Sequence, residues 1–178
     1  PMALVTNYPN TFDKVQKKTG HGIWIHGLPF DNKRDDYTKG CIALENESIK
    51  QLEKNINLKK AVLLVGEKNH KKVTQGDISI ILSAIFSWKD AWKKSDINSY
   101  LSFYDKDFKK NNGMGIKNFT KYKKRIFAKN EKKKIEFKNI NIMPYPNSLN
   151  KTMYKVVMDE DYKTRSYKFI GKKELYIE

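Results

Sequence analysis

The chain has 178 residues, 39% of them hydrophobic and 12% aromatic, a globular composition long enough for one large domain or two small ones. No run approaches the roughly 18 apolar residues that a membrane helix needs. A single cysteine excludes internal disulfides and CxxC-type metal sites. The formal net charge of +16 is unevenly spread: residues 1–67 hold 10 basic and 8 acidic side chains, residues 68–178 hold 26 and 12. A basic half beside a near-neutral half predicts two units with different partners, the basic one suited to nucleic acid, anionic lipid or an acidic polymer.

The opening "MALVTNYP" alternates loosely and stops in a turn, so it predicts a strand. No charged start followed by an apolar run and a cleavage site is visible, and the chain begins already in strand-like sequence. A preceding segment carrying any targeting signal is therefore expected. "TFDKVQKKTG" predicts a brief helix closed by Gly20. "GIWIHG" is a compact apolar run between glycines, expected as a buried strand. "LPFDNKRDDYTKG" is a polar loop, and "CIAL" opens a second short apolar piece. "NESIKQLEKNI" predicts a helix capped by Asn46, with Ile49, Leu52 and Ile56 on one face. "KKAVLLVGE" predicts another buried strand. The domain boundary is expected in the polar "GEKNHKKVTQGD", giving units at 1–67 and 77–178 with a linker at 68–76.

After the linker, Asp77 is the expected cap of a helix whose stripe is Ile78, Ile81, Leu82, Ile85, Trp88 and Trp92. Asp96 restarts a second helix with Ile97, Tyr100, Leu101 and Tyr104 on one side. Ile116, Phe119, Tyr122, Ile126 and Phe127 mark a third. The period then changes to two, and "KKIEFKNINIM", "KTMYKVVMDEDY" and "YKTRSYKFIGKKELYIE" predict three or four antiparallel strands. Three helices followed by a meander make an α+β unit with its helices on one face of a curved sheet.

Cys41 and His26 carry the chemistry. A thiol attacks as the thiolate, and a nearby histidine is the usual way to make one. His26 ends one apolar run and Cys41 begins the next, preceded by Gly40. Glycine there permits a tight turn that presents the side chain and leaves amide N–H groups for an oxyanion. The alternative is that Cys41 is an inert, buried small hydrophobe. His21 and His26 with Asp35 or Asp36 lack the ordered spacing of known zinc motifs, so no metal is expected.

"IHG" at 25–27, a polar loop, and "TKGCIAL" at 38–44 together resemble the YkuD-type L,D-transpeptidase signature, a histidine followed at about fifteen residues by Ser/Thr-His-Gly-Cys, a hydrophobic residue and usually arginine. Thr38, Gly40, Cys41 and Ile42 match; Lys39 stands in place of the second histidine and Ala43 in place of the arginine. "ALVTNYPN" and "GIWIHGLP" also resemble the segments preceding the signature in the cell-shape-determining L,D-carboxypeptidase branch of helical Gram-negative bacteria, where both departures look normal. "FSWKDAWKKSDINSYLSFYDKDF", "FTKYKKRIFAKN" and the final meander resemble the nuclear-transport-factor-two-like fold, a cone with a pocket between helices and sheet.

The resemblance implies a β-rich catalytic domain, N-terminally incomplete, followed by that cone. A domain of this type normally has about twice the residues found before 68, so a missing upstream segment or a homodimer is expected to complete it. Cys41 is implied as nucleophile and His26 as base, with the Gly27 carbonyl holding the imidazole tautomer. The implied substrate is a peptidoglycan stem tetrapeptide, trimmed to a tripeptide as D-alanine leaves. Resolution by another stem amine instead would make an L,D-transpeptidase. Lys39 and Arg34 are candidates for the terminal carboxylate, with Thr38 and Gly40 in the binding turn and Trp24 walling the pocket. Trp88, Trp92, Tyr100, Tyr104 and Tyr122 either line the second pocket, with an acidic ligand, or are core. Lysine clusters at 109–110, 121–125 and 132–134 are either a basic surface toward anionic envelope polymer or ordinary solvated faces. No cofactor and no nucleic acid is implied; the implied compartment is the periplasm. A third reading is a non-catalytic binding protein for an acidic glycan.

Overall fold

Short apolar runs with period two build the first sheet. In the computed structural model, which describes residues 2–29, 38–58, 60–66 and 72–178, these are β1 (Ala3–Val5), β2 (Trp24–Gly27) and β3 (Ile42–Leu44), in the order β1-β2-β3. β1 runs antiparallel to β2, and β3 runs parallel to it. Parallel neighbours need a crossover of a dozen or more residues, and residues 28–41 supply that length.

Between β1 and β2 lies α1 (Thr11–Val15). Asn10 caps it by accepting from the N–H groups of Phe12 and Asp13, while the Asp13 carboxylate accepts from the Asn10 N–H. The expected glycine stop at Gly20 is not used. Lys17 takes the left-handed position at φ 61°, and Lys18 N–H donates to Asp13 O at 2.9 Å, so the helix closes three residues earlier. α2 (Asn46–Asn55) packs on β2 with Ile49 fully buried. Its cap is Glu45, without a side-chain bond; Asn46 is already helical, and its amide donates to Leu28 O at 3.1 Å. That bond ties the start of α2 to the end of β2.

The strand expected at "KKAVLLVGE" does not form. Residues 60–66 are exposed and lie outside any helix or strand, with Val65 68% accessible. An apolar run becomes a strand only where a neighbouring ladder takes its N–H and C=O groups, and among the described residues none does. The chain divides into Pro1–Leu63 and Leu64–Glu178.

The second unit opens with α3 (Gln75–Lys94). Its cap is Thr74 rather than Asp77: Thr74 Oγ1 accepts from Asp77 N–H, and Asp77, three residues in, accepts from Thr74 N–H. Ile81, Ile85, Trp88, Ala91 and Trp92 are its buried stripe. α4 (Ile97–Leu101) is capped by Asp96, and α5 (Ile116–Phe127) follows. β4 (Lys134–Pro144), β5 (Tyr154–Lys163) and β6 (Lys168–Ile177) form an antiparallel meander with β5 in the centre. β5 alternates strictly, burying Tyr154, Val156, Met158, Glu160 and Tyr162. Between Lys138 and Asn141, β4 carries one extra residue, with Asn139 at φ 51°. Such a bulge bends and twists the strand, giving the curvature expected from sequence.

Two apolar clusters fill this unit. One joins Trp88, Trp92, Tyr100, Phe119, Phe127, Ile135 and Tyr162; the other joins Ile81, Ile85, Tyr154, Val156 and Met158. Each large side chain so buried contributes about 1.5–3 kcal/mol. Among the described residues no helix is long and apolar enough to cross a membrane.

Candidate active site

Strand alternation gives the first sheet two unlike faces. Leu4, Ile25, Ile42 and Leu44 share the side that also carries Gly27. On the other side stand Ala3, Val5, Trp24, His26 and Ala43. Trp24 is 43% accessible and was expected on a buried strand; only Gly27 of β2 is buried. His26 sits in the central strand between two alanines, Ala3 across the antiparallel ladder and Ala43 across the parallel one. Alanine on both sides leaves lateral room for an imidazole and a substrate.

His26 Nδ1 lies 2.9 Å from Gly27 O. A carbonyl can only accept, so this bond places the proton on Nδ1 and leaves Nε2 as the basic nitrogen. Cys41 immediately precedes β3. Carried one step back, the register sets it beside Trp24, on the His26 face and one diagonal away from His26.

The turn that delivers Cys41 is built from Thr38, Lys39 and Gly40. Thr38 Oγ1 donates to Cys41 O at 2.6 Å, closing the turn. Gly40 has φ +103°, a conformation open to glycine alone, and a Cβ there would meet Ile23 Cδ1 at 2.9 Å. Cys41 is partly exposed, and its thiol donates weakly to Gly22 O at 3.5 Å. Among the described residues no hydrogen bond joins Cys41 Sγ to His26.

Lys39 is exposed in this turn, and His21 is exposed ahead of β2. Arg34, Asp35, Asp36 and His70 lie outside the described residues. Among the described residues no group of three or more His, Cys, Asp or Glu is placed to hold a metal ion.

A second polar cluster sits inside the C-terminal unit. Glu160, 4% accessible, pairs with Lys173 at 2.7 Å. Lys173 Nζ lies 5.2 Å and 5.5 Å from the rings of Trp92 and Trp88, and Lys123 Nζ lies 4.9 Å from Trp92 and 5.1 Å from Tyr100. Burial, with help from Lys173, pulls the Lys123 amine down to about 8. Trp88 Nε1 donates to Tyr104 Oη at 3.2 Å, and Tyr104 Oη donates to Tyr100 Oη at 2.7 Å. Burial pushes Tyr104 up to about 12 and Tyr100 higher still. Of the five aromatics expected either to line a pocket or to be core, Trp88, Trp92 and Tyr100 are core. The sequence reading missed Glu160 and Lys173, although both lie on inward-facing β positions. It also placed Lys123 in a surface cluster, although Lys123 shares the helix face of Phe119 and Phe127. Lys133 is buried as well, held by Ser95 Oγ and the Phe127 ring.

Residues 3–80 match the family described as the YkuD L,D-transpeptidase catalytic domain, and residues 79–178 match the Cds6 C-terminal NTF2-like domain. Two solved structures of the helical cell shape determining protein Pgp2 from Campylobacter jejuni are 45% identical, with TM-scores of 0.91 and 0.87. Each covers 99% of this chain, while this chain covers 62% and 63% of theirs. Bd1075 of Bdellovibrio bacteriovorus is 29% identical at TM-score 0.76, covering 98% of this chain and 62% of its own. The chain thus spans about three fifths of these relatives. No curated protein matches it. The chain belongs to the Cds6 C-terminal NTF2-like family, whose model spans residues 79–178, and its residues 3–80 match the YkuD L,D-transpeptidase catalytic domain.

Proposed function

We propose that this chain carries the catalytic cysteine and the accessory domain of a periplasmic peptidoglycan L,D-carboxypeptidase. The observation that carries the reading is an Nδ1-anchored His26 on the sheet face to which the β2–β3 register, carried one step back, assigns Cys41. His26 Nε2 takes the Cys41 proton, and the thiolate attacks the carbonyl of the third stem residue. Backbone N–H groups of the 38–41 turn are the donors nearest the developing oxyanion. As the tetrahedral intermediate collapses, the imidazolium gives its proton to the departing D-alanine amine, leaving a thioester. Water, deprotonated by His26, then cleaves the thioester, and the thiol and a tripeptide carboxylate are released. Lys39, with Arg34 five residues earlier in the sequence, supplies a cation for the terminal carboxylate that an exopeptidase must recognise. Trp24 is the exposed aromatic wall beside Cys41.

The accessory domain is read as a binding module. Lys123 and Lys173 face Trp92 against the single carboxylate of Glu160, which favours an acidic ligand there.

Cys41→Ala, in the full-length protein, is expected to lower D-alanine release from purified muropeptides by ~10⁴-fold or more; release at the parent rate sinks the mechanism. Mass spectrometry of the products decides the acceptor. Tripeptides support the carboxypeptidase, and dimeric 3–3 muropeptides favour the transpeptidase.

A further inference from the structure

Residues 109–134 hold ten lysines and one arginine against one glutamate, Glu131. That glutamate is engaged by Thr164 and Ser166, whose hydroxyls hold its carboxyl down to about 2. Along α5 the cations fall on one side. At ~100° per residue, Lys117, Lys121 and Lys124 lie within about 60° of arc, with Arg125 about 40° beyond and Lys129 just past the helix end. All five are exposed. The opposite side of α5 is the core face, where Phe119 and Phe127 are buried and Ile116, Tyr122 and Ile126 pack beside them.

Five other lysines are compensated: Lys134, Lys138, Lys155 and Lys172 on the strands and Lys151 between β4 and β5 each sit against a carboxylate within 3.6 Å. Among the described residues, none of the five α5 cations makes an ion pair. Five exposed cations of the unit are therefore gathered on one helix face and left uncompensated, a field suited to a polyanion.

We infer that the outward face of α5 is a docking surface for the carboxylate-bearing peptidoglycan polymer, holding the enzyme on its insoluble substrate. This rests on the peptidoglycan reading given above. The surface is distinct from the Lys123–Lys173 cluster, which lies on the inner side of the same helix. A lipid bilayer fits less well. An interfacial helix inserts its apolar face, and that face of α5 is already spent in the core. Nucleic acid fits less well too, since no aromatic side chain stands on the exposed face for base stacking.

The test measures binding by co-sedimentation with purified sacculi, in the Cys41→Ala background so that substrate is not consumed. One variant changes Lys117, Lys121, Lys124 and Lys129 to Gln. A charge-matched control changes the paired lysines Lys134, Lys138, Lys151 and Lys172 to Gln. Exposed ion pairs each contribute a factor of roughly 1.4 to 5, so loss of four is expected to weaken binding by at least about fourfold. The control is expected to bind like its parent. Parent binding is expected to fall steeply as salt rises, because exposed charges are screened. Equal weakening in both variants, no weakening in the α5 variant, or stronger parent binding to phosphatidylglycerol vesicles or duplex DNA than to sacculi overturns the inference. The α5 substitutions, with Cys41 intact, are expected to leave D-alanine release from soluble tetrapeptide unchanged. A protein that releases no D-alanine yet loses sacculus binding through α5 would refute the catalytic reading and leave the docking surface standing.

Discussion

Gly40→Ala tests whether the turn, rather than the cysteine alone, makes the site. The parent backbone has φ +103° at this position. A side chain held there costs about 1–3 kcal/mol of backbone strain. The new Cβ also meets Ile23 Cδ1 at 2.9 Å, which a rotation of the isoleucine relieves; that off-rotamer shift costs about 0.5–1.5 kcal/mol. Together they lower the unfolding free energy by about 2–4 kcal/mol if the turn keeps its shape. If the turn relaxes instead, Cys41 moves, and a displacement near 1 Å costs about 10²-fold in rate. Urea unfolding and D-alanine release, measured on one preparation, separate the two routes. Adding Ile23→Val removes the Cδ1 atom but not the backbone strain, so it is expected to recover the smaller part of the loss. Gly40→Ala within about 0.5 kcal/mol of the parent, with kcat/KM changed less than about threefold, refutes the reasoning.

His26→Ala removes the proposed general base and acid, and is expected to cut kcat/KM for D-alanine release by about 10²–10⁴-fold without unfolding the chain. Thr38→Val deletes the hydroxyl donated to Cys41 O at 2.6 Å; a loss of about 1 kcal/mol in unfolding free energy, with a lower kcat and little change in KM, is expected. Lys123 has its amine lowered from 10.5 to about 8, so the folded chain binds fewer protons than the unfolded one between those values. Stability owed to this group therefore rises with pH from about 8 and is flat below, and Lys123→Met is expected to lose that rise when urea midpoints at pH 7.5 and 9.5 are compared with the parent.

Sequence made the second unit far more legible than the first, for a physical reason. Its helices and strands carry full periods: a 20-residue helix with five buried residues on one stripe, and a central strand that alternates over ten positions. Patterns of that length leave few competing structures. The caps were less legible because several polar residues compete at a helix start. Thr74 and Asp77 are both good capping types, and only the reciprocal bond assigns Asp77 to the first turn. Lys17 was not legible as a left-handed stop, since the strain of about 1–2 kcal/mol on a non-glycine makes Gly20 the natural choice. In the first unit the strands are three or four residues long, and whether "KKAVLLVGE" is a strand depends on a neighbour that periodicity cannot name. The parallel partnership of β2 and β3 was foreshadowed only by the fourteen residues between them. The hidden polar cluster shows the opposite case. Lys123 and Glu160 were readable from the helical and strand periods, but residue type drew Lys123 into a surface cluster and Glu160 was not singled out.

The register at His26 bears on the two positions where this chain departs from the common signature. Position 43, usually arginine, is directly beside His26 on the parallel ladder, and here it is alanine. An arginine there would stand against the base, competing for the space in which substrate and water approach Nε2. Alanine at 43, matched by Ala3 on the other side, leaves that approach open. The cation appears instead at Lys39, exposed at the head of the turn, two residues before the nucleophile. A positive charge moved from the strand to the turn can bind the leaving end of the stem peptide while the flank of His26 stays open to water. Hydrolysis needs both conditions: a recognised free carboxylate, and a base that water can reach once the thioester has formed. Under the proposed carboxypeptidase reading, the open flank of His26 and the exposed Lys39 both suit water as the group that resolves the intermediate.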